Sequence, residues 1–166
     1  MFSTYIYIVQ KEYIFCIKLI QKITILNDEG IPIFFHNFSG SSQEDENYQL
    51  IASYFDQICR FTKYGFKESL NTLKMNRSVF YFYTHPTSNF HLIFKCDNRV
   101  DKKKLLKRNL DRVAAKVFDK FLNKFSNELK NFNGNFSQFK SFSLDVYEII
   151  KSKGFFRNFE QELNIF

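Results

Sequence analysis

Residues 23–38, ITILNDEGIPIFFHNF, decide the fold class of this 166-residue chain. Two apolar runs, rich in β-branched and aromatic residues, flank the segment Asn27, Asp28, Glu29 and Gly30. Such runs suit a pleated sheet, and Asn, Asp and Gly accept the backbone conformations of a tight turn. The stretch therefore predicts a β-hairpin, with Asp28 and Glu29 as solvated turn residues rather than a pair of catalytic carboxylates.

The chain after this hairpin predicts three more strands and three helices. The strands are expected over residues 66–73, 78–84 and 90–96, and the helices over residues 46–64, 102–130 and 141–153. Gly65 is placed to end the first helix. Its core-facing stripe is predicted to consist of Ile51, Tyr54, Phe55, Ile58, Phe61 and Thr62. Since strands 78–84 and 90–96 are apolar at nearly every position, both faces of the sheet should be covered.

Composition indicates one cytoplasmic domain. The length suits a single core, which we assign to residues 22–153, followed by an amphipathic tail over residues 154–166. Residues 1–21 form an extra segment that either adds a hairpin or packs on a partner. Three scattered cysteines within apolar runs indicate reduced, buried thiols. The apolar N-terminal stretch is interrupted by Gln10, Lys11 and Glu12, so it does not predict a transmembrane helix. It has neither a basic leader nor a small-residue cleavage site, so it does not predict a secretory signal.

Motifs for catalysis or cofactor binding are missing from the sequence. It contains no glycine-rich phosphate loop, no nucleophile elbow and no H-E-x-x-H. The three histidines are too scattered for a metal-ligand pattern. We therefore expect no cofactor, no metal site and no enzymatic activity.

The charge balance is basic, with 24 Lys and Arg against 17 Asp and Glu, a net charge of +7. Lys102, Lys103 and Lys104 fall in the first turn of a predicted helix, where cations oppose the helix dipole, and Lys107 follows them. An anionic surface would offset that cost, so these four lysines are candidate contacts to one. The alternative is an ordinary solvated run of charge.

The element order β-β-α-β-β-β-α-α, together with ITILNDEGIPIF at residues 23–34, resembles the longin domain, the SNARE-like fold of longin SNAREs, clathrin-adaptor small subunits and TRAPP subunits. The roadblock fold is the nearest competitor, but it has a helix before its first hairpin and only one after its last strand. The resemblance implies a five-stranded antiparallel sheet with one helix on one face and two on the other. It also implies a non-catalytic scaffold for vesicle-mediated transport or similar machinery.

The resemblance further implies the partners and the surface that binds them. Longin domains bind small GTPases, other longin or roadblock domains, or peptide segments, often through the first helix and the third strand. On this sequence, that surface corresponds to Arg60, Lys63, Tyr64, Lys67, Ser69 and Asn71. A homodimer and a peripheral contact with an anionic membrane are further expectations. The alternatives are a basic nucleic-acid-binding protein, a roadblock-like regulatory domain, a profilin-like or PAS-like sensor with an apolar pocket, or an enzyme.

Overall fold

A computed structural model of the chain describes residues 20–38, 48–97 and 104–152. They contain five strands: β1 (Ile20–Leu26), β2 (Pro32–Asn37), β3 (Thr72–Lys74), β4 (Ser78–Thr84) and β5 (His91–Asp97). The strands form one sheet in the order β2-β1-β5-β4-β3, and every neighbouring pair is antiparallel. The predicted five-stranded antiparallel sheet is confirmed, with β1 starting two residues before the predicted domain boundary.

The helices are α1 (Tyr48–Phe61), a π-helix (Thr62–Phe66), α2 (Lys104–Lys124), α3 (Ser126–Lys130), a 3-10 helix (Phe136–Phe139) and α4 (Phe142–Lys151). Helix α1 packs on one face of the sheet, while α2 and α4 pack on the other. This is the layering that the longin resemblance implies. Our expectations for residues 1–19 and for the tail at 154–166 lie outside the described residues.

The larger core lies between the sheet and helices α2 and α4. The inner side of α2 is buried at Leu110, Val113, Ala114, Val117 and Phe121, and Phe125 follows it into the core. Phenylalanine rings from several elements meet there: Phe121 lies 4.9 Å from Phe142 of α4, and Phe142 lies 5.3 Å from Phe34 of β2. Much of the high phenylalanine content is therefore core packing, in which edge-to-face pairs add to the hydrophobic gain.

The smaller core, beneath α1, corrects our prediction of which side of that helix is buried. Ala52, Phe55 and Cys59 contact the sheet, and the Phe55 ring lies 4.9 Å from Phe80 and 5.5 Å from Phe82. The predicted stripe residues Ile51, Tyr54 and Phe61 are exposed by 41%, 48% and 62%. The small side chains of Ala52 and Cys59 allow the helix to approach the sheet closely. The side of α1 that carries them therefore faces the sheet.

The end of α1 differs from the prediction as well. The helix continues as a π-helix through Gly65, which does not end it, and the left-handed residue is Lys67 (φ 59°), whose N–H donates to the Thr62 carbonyl. The strand predicted over residues 66–73 is wrong except at its last two residues, since the π-helix takes up the start of that segment and β3 spans only Thr72–Lys74. The helix predicted over residues 102–130 is interrupted at Phe125, and α3 begins at the next residue, Ser126.

Cys59 and Cys96 are buried, as predicted, and neither is part of a disulfide. Burial, together with the charge of Asp56, raises the pKa of the Cys59 thiol to about 12. Across the described segments, no helix has both the length and the apolar character needed to cross a bilayer.

Candidate partner-binding surface

The tip of the β1–β2 hairpin is fixed by its own turn and by α1. The Asn27 side-chain oxygen accepts the N–H groups of Glu29 (3.1 Å) and Ile31 (2.7 Å). Gly30 has φ +79° and is buried against α1; a Cβ atom there would lie 2.1 Å from Cγ of Asp56. The hairpin tip and the middle of α1 are therefore in close backbone-to-side-chain contact.

Arg60 connects the same two elements. Its Nε donates to both carboxylate oxygens of Asp56, at 3.0 and 2.8 Å, and its Nη2 donates to the main-chain carbonyl of Asp28 at 3.1 Å. The hydrogen bond to Asp56 raises the pKa of the Arg60 guanidinium. About half of the side chain, 48%, remains exposed. Arg60 thus has a structural role and still presents charge at the protein surface.

A groove with a cavity volume of about 250 Å³ opens beside Arg60, between the end of α1, the hairpin tip and the β4–β5 turn. Four of the predicted partner-binding residues line this groove: Arg60, Lys63, Tyr64 and Ser69. The structure does not place Lys67 and Asn71 among its lining residues, although Ser69 and Leu70 between them line it.

The floor of the groove is polar. Thr84 Oγ1 and His91 Nδ1 are 2.9 Å apart, and burial lowers the pKa of His91, which keeps its imidazole neutral near pH 7. This groove is smaller than the roughly 300–1,000 Å³ typical of small-molecule sites and lacks their mainly apolar lining. It does not provide the apolar pocket that the sensor alternative requires.

The outer side of α1 and the π-helix carry an exposed apolar set that we call the α1 surface. Its members are Leu50, Ile51, Tyr54, Phe61, Tyr64 and Phe66. They are six of the nine large hydrophobic side chains that are exposed in the described part of the chain. The rings of Phe61 and Phe66 meet edge to face at 5.3 Å, and the Lys63 Nζ lies 5.9 Å from the Tyr64 ring centre.

Sequence reasoning named Tyr64 for this surface but assigned Ile51, Tyr54 and Phe61 to the core and did not consider Leu50. The available signal was the width of the apolar arc on α1. This arc is wider than the part of a helix that one sheet face can bury, since it includes residues 50, 51, 54, 55, 58, 59 and 61.

The candidate anionic-surface lysines are only partly described. Lys102 and Lys103 lie outside the described residues, and Lys104 begins α2. Lys107 forms an ion pair with Asp111 at 3.3 Å. Within the described residues, no group of three His, Cys, Asp or Glu side chains could hold a metal ion.

No family model matches this sequence, and no curated protein matches it either. Among solved structures, MglB of Myxococcus xanthus is similar at 12% sequence identity and a TM-score of 0.39, with 65% of this chain and 89% of the MglB chain covered. The assignment to a longin/roadblock-like fold rests on the strand order and on the placement of the helices on the two faces of the sheet.

Proposed function

We propose that this protein is a non-catalytic, cytoplasmic longin-type scaffold that binds a small GTPase, or another longin or roadblock domain, through the α1 surface. The observation that carries the proposal is the exposure of Phe61, Tyr64 and Phe66, at 62%, 63% and 62%, at the end of α1 and on the π-helix that continues it. The inner side of α1 itself packs on the sheet. Contiguous apolar side chains exposed in this way are characteristic of interaction sites.

The composition and rigidity of the α1 surface support a protein partner. Aromatic side chains beside Arg and Lys are the residue types that dominate the binding energy of protein interfaces. Arg60 is held by Asp56 and Asp28, and Phe61 is held by Phe66, so fewer rotamers are lost when a partner binds. A preorganised surface of this kind suits recognition of a folded domain.

The chemistry of the adjoining groove supports a scaffold rather than an enzyme. A nucleophilic cysteine acts as its thiolate, whereas the Cys59 thiol, with its pKa raised to about 12, is protonated near pH 7. His91 is neutral and engaged with Thr84, and Arg60 is engaged with Asp56.

The test is affinity capture from the native cell, with mass spectrometry of the bound proteins, for the natural chain and a Phe61→Ser/Tyr64→Ser variant. We expect the natural chain to retain a small GTPase or a longin or roadblock protein, and the variant to lose it by at least about 30-fold, the effect of removing one hot-spot residue. Sedimentation of the purified chain shows whether a second copy is that partner.

The matched control is Leu144→Ser, which removes an apolar side chain of 74% exposure from the opposite side of the molecule. It should retain the partner at the natural level. Recovery of neither partner class, or equal recovery with the double variant, would contradict the proposal.

A further inference from the structure

From Lys107 onward, the basic side chains of α2 fall into two groups. Three belong to ion pairs: Lys107 with Asp111 at 3.3 Å, and Lys120 and Lys124 with Asp145 of α4 at 2.9 and 2.5 Å. All three pairs neutralise charge locally, and the two with Asp145 hold α4 alongside α2. They therefore contribute little to any field outside the protein.

The second group is Arg108, Arg112 and Lys116, which are exposed and form no ion pair with any residue in the described segments. Arg112 donates only a long 3.5 Å hydrogen bond, to Asn109. The three cations recur at four-residue spacing, so they form one line of roughly 12 Å along the helix. This line is defined here as the α2 basic line.

The surroundings of the α2 basic line keep it positive. It begins at Arg108, in the second turn of α2, and the adjacent Asp111 is already paired with Lys107. One turn past Lys116, the exposed Asp119 ends the line; it too forms no ion pair within the described segments. The line thus comprises three cations and one terminal carboxylate, on the side of α2 opposite the buried Val113 and Val117.

The neighbouring side chains favour a lipid bilayer over nucleic acid. Single-stranded nucleic acids are bound through aromatic side chains on which bases stack, but the exposed aromatic residues of the described chain belong to the α1 surface, across the sheet. Leu144 of α4, exposed by 74%, lies on the same side of the sheet, next in sequence to Asp145, which pairs with Lys120 and Lys124 of α2. Cations and an exposed aliphatic side chain on one side of a protein match the boundary between lipid headgroups and acyl chains.

We propose that the α2–α4 side of this protein docks on an anionic lipid bilayer, with Arg108, Arg112 and Lys116 at the headgroups and Leu144 entering the interface. Each Lys or Arg near such a surface strengthens binding by about fivefold, so three together contribute about 100-fold. This docking is independent of the proposed partner, and it directs the α1 surface away from the membrane.

The test is co-sedimentation of the full chain with phosphatidylcholine vesicles, with or without about 30% phosphatidylserine, at about 0.1 M and about 1 M salt. We expect binding only to the anionic vesicles at the lower salt. R108Q/R112Q/K116Q should bind about 100-fold more weakly, and Leu144→Ser roughly fivefold more weakly.

The matched control, K63Q/K67Q/R77Q, removes the same three charges from exposed positions outside the α2–α4 side. It should bind the anionic vesicles within about twofold of the natural chain, and circular dichroism checks that both triple variants are folded. Equal loss with both triple variants would show that only net charge matters and overturn the proposal. Failure of the natural chain to bind these vesicles would overturn it too, as would binding of a DNA or RNA fragment in their place.

Discussion

Gly30 shows at the scale of one residue how the hairpin tip is tied to α1. We predict that Gly30→Ala lowers the free energy of unfolding by about 2–4 kcal/mol, because alanine at positive φ is strained and its Cβ would overlap Asp56. Urea denaturation measures the loss.

Gly134 supplies a control for the overlap. It also has positive φ, +88°, but a Cβ there would meet nothing within 4 Å. Gly134→Ala should therefore cost about 1 kcal/mol, from backbone strain alone. Equal losses for the two variants would mean that the contact between Gly30 and Asp56 contributes nothing.

Local sequence explains why some site residues were predictable and others were not. The turn at Gly30 follows from the neighbouring Asn27, but its contact with Asp56 joins distant parts of the chain and leaves no local pattern. Arg60, Lys63 and Tyr64 come together at the groove because they share one turn of helix and its continuation.

At the scale of elements, strands were predicted better than helix orientation. β4 spans the predicted residues 78–84, and β5 differs from its prediction by one residue, because continuous apolar runs between turn residues define both. The apolar arc of α1 is wider than the face it buries, so periodicity identified a helix without choosing its inner side. The strand predicted from residue 66 failed because Phe66 ends the π-helix, Lys67 is left-handed, and residues 67–71 form an irregular segment before β3.

Asp145 provides a prediction for the joint between α2 and α4. Burial would raise the pKa of its carboxyl, but the hydrogen bonds and charges of Lys124 and Lys120 outweigh that effect, and the net pKa is lowered. A lowered folded-state pKa stabilises the protein above the unfolded pKa of about 3.9, and this stabilisation is lost as the pH falls through the folded value. Asp145→Asn should therefore cost about 1 kcal/mol at pH 7 and nothing in strong acid.

Denaturation of the natural chain and of Asp145→Asn from neutral to acidic pH tests whether their free energies of unfolding become equal in acid. Asp111→Asn is the control, since its ion pair with Lys107 is between side chains exposed by 40% and 34% and should contribute less. A difference between the natural chain and Asp145→Asn that persists in acid would mean that packing, rather than charge, accounts for the effect.

At the scale of the whole molecule, the sheet separates two outer sides with different chemistry. Its strands are apolar on both faces, and each face has its own core, one beneath α1 and one beneath α2 and α4. The exposed aromatic residues lie on the first side, while the α2 basic line and Leu144 lie on the second. Exposed residues on the two sides are separated by the sheet, so the effects of substituting them on stability and binding should be additive.

We therefore predict that the two proposed binding activities can be removed separately. Phe61→Ser/Tyr64→Ser should lose the captured partner and still sediment with anionic vesicles, since it leaves the net charge unchanged. R108Q/R112Q/K116Q should keep the partner in solution and fail to bring it to the vesicles. Three-component co-sedimentation measures both results: the partner sediments only when both sides of the scaffold are intact. If Phe61→Ser/Tyr64→Ser also released the vesicles, the two sides would not act independently, and the bilayer would have to contact the α1 surface instead.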